Sequence, residues 1–158
     1  MKSSSTARFL FFAVLALGTQ SVFAQKTACA YLEPGAGYAA WMRVVSGNYA
    51  SKWSSSFPIG TTRCQSLAEL KDGQQFTVQI SAVLGSSKVP CSPSLKRVSS
   101  SDATVTYHAW GTTLSVKCQM PDMNNASEEA IEPSKEGLKA KADLEAGKLP
   151  ANPPKEDE

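Results

Sequence analysis

The sequence predicts an exported all-β domain, an immunoglobulin-like antiparallel β-sandwich of about seven strands, stapled by disulfides and followed by a disordered C-terminal tail. Three observations carry this expectation. The chain opens on a secretory leader, its middle alternates short apolar runs with Gly-, Pro- and Ser-rich turns, and it holds an even set of four cysteines. The divisions fall at residues 1–24 for the signal peptide, 25–121 for the β domain and 122–158 for a charged, low-complexity tail.

In the leader, Lys2 and Arg8 precede an unbroken apolar run over residues 9–18, and Val22-Phe23-Ala24 supplies the residues a signal peptidase reads. That run is half of the roughly 20 residues needed to span a bilayer, and no later segment is long and apolar enough to stop transfer. The mature chain is therefore expected to be soluble, secreted or periplasmic, with no membrane anchor. Lipidation at Cys29 fits badly, because Lys26 stands just ahead of it and an odd number of thiols would be left over.

Within the body, residues 28–33 read as a first strand closed by Pro34-Gly35-Ala36-Gly37, and residues 38–45 as a second ended by Ser46-Gly47-Asn48. After a Ser-rich stretch, residues 61–67 form a third, followed by a turn at Leu70-Lys71-Asp72-Gly73. The clearest strand is 75–84, where Phe76, Val78, Ile80, Ala82 and Leu84 alternate with Thr77, Gln79, Ser81 and Val83. Strict period two gives it one buried and one wetter face. Pro90 and Pro93 confine the next segment to an edge or loop, with residues 95–98 a short strand. Residues 102–110 and 113–118 flank Gly111-Thr112, a two-residue loop with glycine first, the signal of a type II′ hairpin. Pairing outward sets Ala109 against Leu114, Tyr107 against Val116 and Val105 against Cys118 on an apolar face. Trp110, His108 and Thr106 then meet Thr113, Ser115 and Lys117 on the wet face. A barrel is the competing architecture.

Charge divides the mature chain. Residues 25–121 hold nine Lys or Arg against four Asp or Glu, a net of +5, whereas residues 122–158 hold five lysines against ten acids, a net of −5. After Cys118 there is no aromatic residue. Such a segment buries too little apolar surface to offset the roughly 1–2 kcal/mol per residue lost on ordering the backbone, so disorder is expected from about residue 124. Residues 127–148 contain helix formers, with Ser127-Glu128-Glu129 as an entry, interrupted by Pro133, Gly137 and Gly147. An acidic tail can fold back on a basic body at low salt and release as salt screens the attraction.

In an exported chain, Cys29, Cys64, Cys91 and Cys118 read as two disulfides. Three connectivities exist, of which Cys29 with Cys64 and Cys91 with Cys118 is favoured. Zinc fails as a reading because no two cysteines lie within the short spacing such sites use. No cofactor is called for.

Catalytic motifs are absent from the sequence. His108 is the one histidine, so a nucleophilic mechanism would have to pass through it. Paired carboxylates would have to come from Glu33, Glu69, Asp72 and Asp102, of which Glu69 and Asp72 flank a turn and Asp102 starts a strand, places such residues take for structural reasons. A copper site would draw on His108, Cys118, Met120 and Met123. Nucleic acid is excluded as a partner by the scatter of the basic residues and by export. What remains is recognition of a protein or carbohydrate partner by exposed aromatic and polar side chains: His108 and Trp110 on the wet face of the hairpin, with Trp53 and Arg43. Trp41 is the tryptophan expected to be internal. Ser46-Gly47-Asn48-Tyr49-Ala50-Ser51 followed by Trp53 resembles the loop that periplasmic inhibitors of C-type lysozyme insert into their target. The strand order around it differs and a basic body would repel a basic lysozyme, so the expectation stays a non-enzymatic binding or structural module. A small secreted hydrolase or copper-binding protein centred on His108 is the alternative.

Overall fold

The computed structural model describes residues 25–100, 102–121 and 132–153. The leader lies outside the described residues, as do Ser127 and Met123. Along the chain the strands are β1 (Gln25–Leu32), β2 (Ala40–Ser46), β3 (Tyr49–Ala50), β4 (Thr61–Ser66), β5 (Gln75–Ala82), β6 (Val89–Pro90), β7 (Leu95–Lys96), β8 (Ala103–Thr112) and β9 (Ser115–Gln119), followed by one helix, α1 (Lys135–Glu145). They form two sheets. Sheet I has the order β4-β1-β8-β9, and sheet II the order β3-β2-β5-β6 with β7 also on β5.

The two-residue period of a strand explains why these segments pair as they do. Ala28, Ala30 and Leu32 of β1, Val105, Tyr107 and Ala109 of β8, and Val116 and Cys118 of β9 face Ala40, Met42 and Val44 of β2 and Phe76, Val78, Ile80 and Ala82 of β5 in one core. Phe57 and Tyr38 from the loops fill it further. Tyr107 meets its polar need by donating its hydroxyl to the Pro93 carbonyl at 2.8 Å. Burying each such large side chain contributes about 1.5–3 kcal/mol.

Both disulfides join the expected partners, Cys29 with Cys64 and Cys91 with Cys118. The first links directly opposed residues of β1 and β4, and the second ties the loop after β6 to β9.

Three expectations change. The body is not wholly antiparallel, because β1 runs parallel to β8, with Tyr31 opposite His108. The terminal hairpin turns two residues later than Gly111-Thr112: Thr112 pairs with Ser115 and Ala109 with Cys118, leaving Leu114 exposed at the tip. Gly111 is needed for contact instead, since at φ 98° it lies inside β8 where a β-carbon would come 2.2 Å from the Ser115 carbonyl oxygen. Because the slip is even, the faces keep their identities.

The third change is in the C-terminal segment, where residues 132–153 carry a docked helix rather than disorder. Ser134 is the N-cap: its hydroxyl accepts from the Gly137 N–H at 3.0 Å and donates to the Ala36 carbonyl at 2.7 Å. Ala140, Leu144 and Leu149 pack on Ala39, Trp41 and Val83, on the outer side of sheet II. Beyond the helix, the Ala151 carbonyl accepts from Trp41 Nε1 at 3.2 Å and from the Ser56 N–H at 2.8 Å. Trp41 is internal as expected, but under this strap and not between the sheets.

Candidate functional site

Strand parity divides the sequence-derived site residues into two pairs. On the outer face of sheet I, β8 carries His108 and Trp110 at alternate positions. β8 lies between β1 and β9, so both side chains stand on an interior strand held by hydrogen bonds on each side. The parallel pairing brings Tyr31 beside His108, with ring centroids 5.3 Å apart and planes at 65°, an edge contact. Glu33, just past the end of β1, places Oε1 3.0 Å from His108 Nδ1. The imidazole is thus oriented from two sides. Trp110 stands opposite Lys117, and its carbonyl accepts from the Tyr38 hydroxyl at 3.2 Å. Tyr31, His108 and Trp110 are half-buried, and Lys117 and Gln119 are exposed around them.

The second pair lies on the opposite side of the molecule, on sheet II. Arg43 projects outward from β2, donates Nε–H to Gln79 Oε1 at 2.9 Å, and sets its guanidinium carbon 4.5 Å from the centre of the Trp53 ring. Arg43, stacked on Trp53 and bonded to Gln79, is only 8% exposed, so it is not the exposed cation the sequence suggests. A shallow groove of about 470 Å³ opens beside it, lined by Ser46, Asn48, Tyr49, Gln75 and Gln79. The four residues therefore do not form one site.

Sequence reasoning missed Tyr31, and named Glu33 only as a candidate carboxylate without connecting it to His108. Their parity with Cys29 places them on the outer face, but their closeness to His108 depends on the parallel β1–β8 register. Burial and the nearby Glu33 carboxylate push the Tyr38 phenol well above its ordinary range, and burial raises that of Tyr107.

Chemically, the sheet I face offers two aromatic rings, an oriented imidazole, one carboxylate and one ammonium. Among the described residues no hydroxyl or thiol is hydrogen-bonded to His108, and no three His, Cys, Asp or Glu side chains converge. Cys118 is joined to Cys91, which removes its thiolate from the ligand set a copper site would draw on. No family model, curated protein or solved structure matches the chain.

Proposed function

We propose that the chain is an exported, non-enzymatic binding module that recognises a protein or glycan through the outer face of sheet I. The observation that carries this reading is the group of Tyr31 on β1 with His108 and Trp110 on the interior strand β8, half-open to solvent, with the His108 ring held by Glu33. Aromatic rings beside hydrogen-bonding groups suit both a protein hot spot and the face of a sugar ring. The two disulfides are consistent with an oxidising or extracellular compartment. Two sheets around a shared core favour the immunoglobulin-like sandwich over a barrel, with the parallel β1–β8 pair as a departure.

Glycan-array screening, and capture of partners from the compartment that holds the protein, would test this. Trp110→Ala and His108→Ala are each expected to weaken binding by about tenfold or more while leaving the melting temperature nearly unchanged. Binding by both variants as tight as that of the wild type would refute it.

The second reading, a hydrolase centred on His108, draws on one observation: a carboxylate on Nδ1 is how a base is oriented in many hydrolases. Under that reading His108→Ala lowers a measured hydrolytic rate by about 10²-fold or more.

A further inference from the structure

We propose that Ser134 is a positioning residue for the sheet I site: at the junction of α1 with the body it fixes the turn of residues 33–36, whose Glu33 carboxylate orients His108. The inference rests on the reading of that face as the binding face, and it extends the site to the C-terminal strap.

Residues 33–38 are held from two sides. Toward β8, the Glu33 N–H donates to the Ala109 carbonyl at 2.9 Å, the Gly37 N–H to the Gly111 carbonyl at 2.9 Å, and the Tyr38 hydroxyl to the Trp110 carbonyl at 3.2 Å. The turn closes on itself through the Ala36 N–H, which donates to the Glu33 carbonyl at 3.0 Å. From the strap, the Ser134 N–H donates to the Pro34 carbonyl at 3.0 Å and its hydroxyl to the Ala36 carbonyl at 2.7 Å. The chain of contacts from α1 to the imidazole is therefore unbroken: Ser134, the turn, Glu33, His108.

Capping alone does not call for serine. Asn, Asp and Ser cap a helix about equally well, because each offers an oxygen to an N-terminal N–H. Ser134 does so for Gly137, but it also sends its hydroxyl proton to Ala36, a donation an ionised aspartate cannot make. Ala36 is wholly buried, so a carboxylate there would meet the carbonyl oxygen with no proton between them and push the turn away.

A small displacement is enough to matter at the site. The Glu33 side chain is 20% exposed and accepts from His108 Nδ1–H at 3.0 Å, since an ionised carboxylate only accepts. A further 0.6 Å or about that would carry the pair out of hydrogen-bond range. Glu33 thus decides which ring nitrogen holds the proton and which is left for a ligand.

Long-range proton–nitrogen correlation spectra of the untagged protein test this, because His108 is the one histidine and its two ring nitrogens report where the proton sits. Glu33→Gln supplies the reference displacement of those signals. Ser134→Asp is expected to keep the helix by circular dichroism, yet move the signals at least about half as far as Glu33→Gln does, and to weaken partner binding about threefold or more. Gly137→Ala, which presses the helix away from Ala36 while leaving the serine in place, is expected to move them in the same direction. Ser134→Thr keeps a hydroxyl cap and should restore the wild-type spectrum. Ring signals unmoved in Ser134→Asp or in Glu33→Gln would overturn the proposal, whatever the binding does, and so would equal displacement by Ser134→Asp and Ser134→Thr. Displaced signals with binding at wild-type strength would uphold the positioning by Ser134 and refute instead the assignment of sheet I as the binding face.

Discussion

Gly137 decides whether the C-terminal segment can dock, because a β-carbon there would lie 2.2 Å from the Ala36 carbonyl oxygen and 3.0 Å from Ile59. In sequence it reads as a helix breaker; in three dimensions it is a contact residue. Gly137→Ala improves intrinsic helix propensity but forces the helix off the body, at a cost of about 1–3 kcal/mol for an overpacked site. The expected result is faster proteolysis within residues 132–153, checked by limited digestion of variant and wild type. His108 and Trp110 show the opposite case. Their outward orientation was legible from alternation alone, because a slip of even length leaves every face in place. The ring and the carboxylate that orient His108 were not legible, since parallel pairing across residues 31 and 108 leaves no local signal.

At the scale of elements, most strands were legible because period-two patterning and turn residues act locally, and β5 shows this best. The two-residue strands β3 and β6 carry too few residues to show a period. The strap was missed for a different reason. Composition counts only the apolar groups a segment brings, and Ala140, Leu144 and Leu149 are few, but the receiving surface of Ala39, Trp41 and Val83 belongs to the body. The described contacts between strap and body are apolar packing and hydrogen bonds, whereas the ion pairs of α1, Lys139 and Lys148 with Asp143, are internal. Docking should therefore resist salt, contrary to a purely electrostatic tail, because burial is not screened as exposed charge is. Leu144→Ala with Leu149→Ala is expected to expose Trp41 and shift tryptophan emission to longer wavelength. Wild-type emission should stay constant as ionic strength rises.

Across the whole molecule, the two disulfides and the single core act together. Each bridge closes a loop, with sequence separations of 35 and 27, and contributes about 3–4 kcal/mol by the chain-entropy estimate. Full reduction is expected to lower the melting temperature by at least about 10 °C, measured by calorimetry with and without reductant. Alkaline pH acts on the same core. The buried phenols of Tyr38 and Tyr107 have folded-state pKa values above the unfolded value of about 10. Their contribution to stability is whole below that pH and is lost as pH rises through the folded values. Denaturant unfolding at a series of alkaline pH values should show stability falling above about pH 10.

The same scaffold holds Tyr31, His108 and Trp110 on one face and Trp53 on the other. Hydroxyl-radical footprinting of the protein with and without its captured partner reads both faces at once. The account predicts protection of Tyr31, His108 and Trp110 with Trp53 unchanged; protection confined to Trp53, with the sheet I aromatics still fully reactive, would contradict it.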